Sequence, residues 1–235
     1  MLLMIGFPLA ALEAPSVLER SHLFGDPRFL EMQVDMNINT SSGEKSRQVE
    51  IRISNSGDMY QVHMQITSPS FLRKMKYLQH KPRSGTPSQW VATSRGTKKI
   101  TSSGNDERIF DSDFTAADFA SLSSDSYRIE AFSSAERDSV TCYRLELSPV
   151  DEEEWTKKVL YVDQQSFLIR EVEYFRDQDL VKRYRVISTS RIEEKLFPVE
   201  SIMEDYRNGT STQLEISDIR MPDSIPDRIF HYRNL

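Results

Sequence analysis

The sequence predicts one large, curved antiparallel sheet, and three observations predict it. Apolar residues recur with a period of two along most of the chain. Turn-forming groups separate these runs at regular spacing. The length, 235 residues, suits a single β sandwich or barrel and allows a sizeable core.

Taken in order, residues 1–12 (MLLMIGFPLAAL) form an apolar run too short to span a bilayer. It reads as the apolar part of an export signal, with Leu12-Glu13-Ala14 as the cleavage site and residues 1–14 as the segment removed. A single domain over 15–235 then follows. Pro15 to Leu23 suits a short helix. Leu30, Met32, Val34, Met36 and Ile38 alternate with Glu31, Gln33, Asp35 and Asn37, the pattern of a half-buried strand. Ser41-Ser42-Gly43 turns the chain into a second run at Val49, Ile51 and Ile53. Asn55-Ser56-Gly57-Asp58 turns it into a third at Tyr60, Val62, Met64 and Ile66. Thr115 to Leu122 has a cap-like Thr and an Ala-rich helical pattern. Further strands are expected at 140–147, 159–162, 168–175, 181–188, 199–206 and 214–219. Asn208-Gly209 is a strong hairpin signal between the last two. Four acids at 151–154 read as a solvated loop tip.

Composition removes several function classes. Charged residues at 28% and hydrophobic ones at 38% describe a globular chain rather than a disordered one. A net charge of -6 argues against generic nucleic-acid binding, which needs a basic footprint. The single cysteine, Cys142, can form neither an internal disulfide nor a Cys-rich zinc site, and no cysteine near Ala14 offers itself for acylation. No G-x-S-x-G elbow, H-E-x-x-H helix or phosphate-cradling Gly-rich loop is present. His22, His63, His80 and His231 are too scattered to suggest a metal site, so neither a catalytic set, nor a metal, nor a cofactor is assigned. One feature is uneven. From Met59 to Asn105 there is no acid but a charge of +8, which leaves -14 for the rest. Such polarity points to an anionic partner, with Arg73, Lys74, Lys76, Lys98 and Lys99 as the patch that meets it.

Specific segments carry a family resemblance. Trp90-Val91-Ala92, Gly96-Thr97-Lys98-Lys99-Ile100-Thr101 and Ser112-Asp113-Phe114-Thr115-Ala116-Ala117-Asp118-Phe119 occur in that order. Cys142-Tyr143-Arg144-Leu145-Glu146-Leu147-Ser148-Pro149, Val159-Leu160-Tyr161-Val162-Asp163 and Arg170-Glu171-Val172-Glu173-Tyr174-Phe175 follow, and Pro226-Asp227-Arg228-Ile229-Phe230 closes the series. Over roughly residues 28 to 235 the chain resembles the bacterial outer-membrane lipoprotein-sorting proteins. The resemblance implies an incomplete, open antiparallel β-barrel of about 10–11 strands, its open side covered by short helices. It implies a periplasmic carrier that holds lipoprotein acyl chains or phospholipid, with an inner-membrane transporter complex as donor and transient contact with a membrane surface. Acyl chains would lie against Leu30, Met32, Val34, Met36, Val62, Met64 and Ile66, with Trp90, Tyr143, Leu145, Tyr161 and Tyr174 completing the wall. Two other readings stay open from sequence: a lipid ester hydrolase using a Ser or Asp near His63 or His80, and a surface interaction module with no lipid.

Overall fold

The computed structural model describes residues 12–56, 58–82, 87–100, 108–119, 122, 125–150 and 155–235. A short helix, α1 (Ala14–Arg20), starts with Pro15 in its first turn, where a missing N–H costs nothing. Six strands follow as a meander: β1 (Phe29–Thr40), β2 (Gly43–Ser56), β3 (Met59–Ser68), β4 (Lys76–Pro82), β5 (Ser88–Thr93) and β6 (Gly96–Ile100). After residue 100 the chain leaves the sheet and returns as β7 (Tyr127–Arg137) and β8 (Val140–Pro149). A second meander continues with β9 (Lys157–Asp163), β10 (Ile169–Arg176), β11 (Asp179–Ile192), β12 (Lys195–Asp205) and β13 (Thr210–Arg220).

All thirteen strands belong to one antiparallel sheet, ordered β6-β5-β4-β3-β2-β1-β13-β12-β11-β10-β9-β8-β7. The two meanders join where β1 pairs with β13. The sheet does not close, because its edges are β6 and β7. These edge strands are consecutive in sequence, so the connector between them must cross the open side. Register shifts in β1, β7, β10 and β11 mark bulges, which bend and twist a sheet and allow one this wide to curl.

The period of two decides which face is inside. On β1 every residue from Leu30 to Ile38 that faces inward is at most 2% exposed. Val49, Ile51, Ile53, Val62, Met64 and Ile66 join the same core from β2 and β3. The outer face of β4 is covered by the C-terminal segment: Ile225 and Phe230 pack on Leu78, and Tyr232 stacks on Trp90 at 5.7 Å.

The structure corrects two local expectations. Residues 115–119 are not helical: Thr115 makes an isolated bridge with Arg108 and 116–119 form turns. The Asp118 carboxylate accepts from the Thr115 N–H and hydroxyl, a local bond that competes with a helix. The thirteen strands among the described residues exceed the expected 10–11, and β4 to β7 are the four that alternation did not mark out. Lys-rich β6 and the Ala/Ser-rich second half of β7 carry no sustained alternation of branched residues, and pairing at a sheet edge overrides that weak preference. The apolar run at residues 1–11, most of the expected signal, and the acidic tip at 151–154 lie outside the described residues.

Gly25 marks a close approach in the lead into β1. Its φ is +79°, and a Cβ there would stand 2.6 Å from the Phe197 ring. Gly25→Ala should therefore lower unfolding free energy by about 1–3 kcal/mol in urea titrations. Gly209→Ala, at φ +61° with open space around it, should cost about 1 kcal/mol or less. Equal losses at the two positions would count against the clash with Phe197.

Candidate functional site

The connector lies against the inner face of the sheet, and buried polar bonds hold it there. Asp113 is 2% exposed; its N–H donates to the Thr212 hydroxyl at 2.9 Å, and its carboxylate accepts from Thr212 and Thr210 on β13. Arg108 bridges Asp113 at 3.3 Å and Asp205 of β12 at 2.8 Å. Five residues on, Asp118 accepts from Lys182 Nζ of β11 and from the Tyr174 hydroxyl of β10, each at 2.6 Å. Between these two anchors Phe114 and Phe119 stack on each other with centroids 5.4 Å apart, and Phe114 meets Tyr184 edge-on.

Burial alone would raise the pKa of Asp118, but the ammonium groups of Lys182 and Lys158 and the donated hydrogen bonds hold it below the usual carboxylate range. Lys158 is itself 2% exposed, and aromatic rings surround it. Its Nζ lies 3.7 Å from the Trp155 ring centroid and 5.1 Å from those of Tyr127 and Tyr174, and it donates to the Tyr127 hydroxyl.

Beside this anchor lies a cavity of about 530 Å³. One wall is the inner face of β9 and β10, with Lys158, Leu160, Ile169, Val172 and Tyr174. Phe119 and Leu122 of the connector form another. The segment from Glu19 to Asp26 closes the third side, and Tyr60, Lys81 and Pro82 stand at the ends of β3 and β4. Burial lowers the Lys81 ammonium to about 8, against Glu19 and Asp125, which oppose the shift. Among the described residues no three His, Cys, Asp or Glu side chains converge as a metal ion would require.

The residues expected to form the acyl wall divide into three groups. Leu30, Met32, Val34, Met36, Val62, Met64, Ile66 and Leu145 point inward and are packed in the main core, each at most 2% exposed. Tyr174 lines the cavity, and Tyr143 packs at the core margin between Phe132 and Phe167. Trp90 and Tyr161 point outward. Trp90 lies under Tyr232, and Tyr161 lies under the Arg137 guanidinium at 3.6 Å. His63 and His80 also sit on the outer side of their strands. His80 Nε2 is 2.6 Å from the Phe230 carbonyl, and burial with nearby Arg52 and Lys76 lowers the His63 pKa to about 4. Neither lines the cavity.

The expected basic patch gathers at one end of the sheet. Arg73 and Lys74 lie in the β3–β4 loop, beside Phe71, which is 80% exposed. Lys76 donates to the Asn234 carbonyl, Lys99 lies over Trp90, and Lys98 is exposed on the edge strand. The cavity opens at the opposite end of the β3–β4 pair, where Met59 faces Pro82 rather than Gln65 facing Lys76. Those ends are about 20 Å apart at the rise of a strand. The cavity residues His22, Lys81, Lys158 and Asp118 were invisible as a group in sequence, since four separate elements bring them together. Only Asp118, inside the quoted Ser112 to Phe119 segment, carried a signal.

The comparisons agree with this architecture. A family model described as "-like: Uncharacterized protein" matches residues 59–235, and the chain belongs to that family. No curated protein matches. Among solved structures, an outer membrane lipoprotein-sorting protein domain of Vibrio parahaemolyticus aligns with TM-score 0.81 at 19% identity, covering 93% of this chain and 94% of its own. A DUF1329 family protein of Desulfovibrio piger aligns at 0.78 and 19% identity, covering 88% and 91%. A LolA superfamily protein of Nitrosomonas europaea aligns at 0.73 and 23% identity, covering 96% and 100%. The fold is therefore LolA-like, an open antiparallel barrel, as the resemblance over roughly residues 28 to 235 implied.

The Asp118 anchor has a pH signature. Its folded-state pKa is depressed, so its contribution is complete above the ordinary carboxylate pKa and is lost as pH falls through the folded value. Asp118→Asn leaves Lys182 buried without its counter-charge and should cost about 3–5 kcal/mol at neutral pH. The stability gap between wild type and variant should narrow as pH drops below about 4, measured by urea titration at a series of pH values. A gap that stays constant into acid would contradict the assignment.

Proposed function

We propose, from the LolA-like fold, that this protein is a periplasmic carrier that receives acyl chains inside the open sheet. In this reading residues 1–14 direct export and 15–235 form the carrier domain. The observation that carries it is the cavity of about 530 Å³ between the sheet and the connector, next to an inner wall of Leu, Met, Val and Ile. Larger cargo, such as the acyl chains of a lipoprotein, would displace Phe114 and Phe119 and uncover Leu30, Met32, Val34, Met36, Val62, Met64 and Ile66. The magnitudes permit this. A chain of about 16 carbons gains on the order of 10 kcal/mol on burial at about 0.8 kcal/mol per methylene. Releasing the Asp118–Lys182 pair costs about 3–5 kcal/mol.

The β3–β4 loop would supply membrane contact, for which an exposed Phe71 flanked by Arg73 and Lys74 is chemically suited. Lys98 and Lys99 would add to attraction by anionic head groups or by an inner-membrane donor complex. The hydrolase reading has less support, because His63 and His80 face away from the cavity.

Native mass spectrometry of freshly purified protein, followed by lipid extraction, tests the carrier reading. A stoichiometric lipid is expected, and protein that carries none and takes up no apolar probe would sink it. Phe71→Ser should weaken association with vesicles containing anionic lipid without altering thermal unfolding, since the side chain is largely in solvent. The charge reversal Lys98→Glu with Lys99→Glu should weaken it further, and more at low salt than at high. Vesicle binding unchanged in all variants at every salt concentration would remove the membrane-contact part of the proposal.

A further inference from the structure

The charges around the cavity are sorted by element. The strands that wall it contribute lysines: Lys81 of β4 and Lys158 of β9 line it, and Lys182 of β11 holds Asp118, which lines it too. The acids come from the segments that cover the sheet: Glu19 from α1, Asp26 from the lead into β1 and Asp118 from the connector. Arg20, a cation of the cover, lies over the Phe167 ring at 3.6 Å. Glu19 and Asp125, which precedes β7, face Lys81. Lys182 Nζ donates to Asp118 at 2.6 Å, and the Lys158 ammonium adds its attraction on the same carboxylate. Beside the cavity, a covering segment thus answers each charge of the inner wall with an acid.

Around Asp118 the connector has the composition of an amphiphile. Its carboxylate accepts from an ammonium and a phenol, and apolar side chains flank it. Phe114 and Phe119 stack at 5.4 Å and are at most 5% exposed; Phe119 also stacks on Phe24, and Leu122 lines the cavity. An anionic head with apolar groups beside it, laid on an apolar wall that contains cations, is what a fatty acid or a lysophospholipid would present to the same wall.

We propose that the Asp118 segment is a built-in stand-in for the ligand, and that the cargo displacing it is an anionic amphiphile whose carboxylate or phosphate takes the place of the Asp118 carboxylate against Lys182, Lys158 and Tyr174. The inference rests on the carrier reading and specifies its cargo. A neutral chain that pushed the connector aside would strip Lys182 of its counter-charge inside the sheet, which is costly because the ion stays desolvated. An anion arriving with the chain makes good that loss, since Lys182 and the Tyr174 hydroxyl then donate to it as they now donate to Asp118. The acids of the cover do not oppose it as a set: Asp118 leaves with its segment, and Glu19 faces Lys81. Asp26 keeps its own partners, for its carboxylate accepts from Asn55 Nδ2 at 2.9 Å and Lys195 Nζ is held at its carbonyl oxygen at 2.6 Å.

Displacement of a bound neutral naphthylamine probe tests this with two matched pairs of single-chain lipids, each below its aggregation concentration. Oleate and methyl oleate differ by a carboxylate charge; oleoyl lysophosphatidate and monoolein differ by a phosphate. At neutral pH one or both anionic lipids should displace the probe at concentrations about tenfold lower than the neutral partner. An advantage confined to oleate identifies a carboxylate head, and one confined to lysophosphatidate a phosphate head. Asp118→Asn removes the internal competitor and should raise affinity for the preferred anion about tenfold, without raising it for the neutral partner. Adding Lys182→Gln to that variant should take most of the gain away. Equal potency within both pairs, or an Asp118→Asn variant that gains nothing for the anion or gains equally for the neutral lipid, overturns the inference while leaving the carrier reading intact. So does a gain that survives Lys182→Gln. Failure to bind the probe and every lipid overturns both. Should Asp118→Asn not fold, the ¹³Cγ resonance of Asp118 in wild type decides: it should move on saturation with the anionic lipid and hold its position with the neutral one. A resonance that holds with both, or moves alike with both, overturns the inference.

Discussion

Asp118 accepts hydrogen bonds from Tyr174, Lys182 and its own Thr115, and the placement of the connector depends on that buried carboxylate. A sheet whose two edges are consecutive in sequence leaves a connector with nowhere to go but across its open side. Apolar packing alone would let such a segment settle in many ways, because Phe rings fit a greasy wall with little directional preference. A carboxylate that must meet an ammonium and a phenol admits one arrangement. The cavity is the space left over by that arrangement: Tyr174 and Lys158 belong to the anchor and to the cavity wall at once.

The two anchors of the connector divide the work. Asp113 and Arg108 tie it to β12 and β13, at the seam where the meanders join. Asp118 ties it to β10 and β11, next to the cavity. Phe114 and Phe119, stacked between them, fill the inner face without closing it. A rearrangement at Asp118 could thus change the cavity while the seam contacts stayed in place.

The fold was largely legible in the sequence because a half-buried strand writes its geometry as alternation. Leu30 to Ile38 and Tyr60 to Ile66 are unambiguous in this respect, and Asn208-Gly209 fixes a hairpin by its chemistry. β7 was not legible, since Ala131, Ser133 and Ser134 take their conformation from pairing with β8 rather than from their own preference. The turn at 116–119 was misread because an Ala-rich run looks helical until the Asp118 side chain is seen to bond locally. The site was legible only as an inner wall. Alternation tells which side chains share a face, but Val159 to Val162 is apolar throughout and Trp90 to Ala92 does not alternate, so the outward direction of Tyr161 and Trp90 was not written there. It does not tell which part of that face is covered, and the cavity is assembled from segments distant in sequence, including His22 and Lys158.

The pairing of β1 with β13 carries a consequence for how the molecule comes into being. Val34 lies opposite Ile216, so the central seam of the sheet joins residues separated by most of the chain. Each meander can form from local hairpins as it emerges, but neither has a complete inner wall until the last long strand arrives. Contacts of such sequence separation are costly in loop entropy and slow to form. The chain should accordingly remain in a collapsed, incompletely packed condition for much of its synthesis, with both half-sheets presenting apolar faces. A polypeptide that consolidates only once its final strand is available stays threadable for longer than one that locks domain by domain.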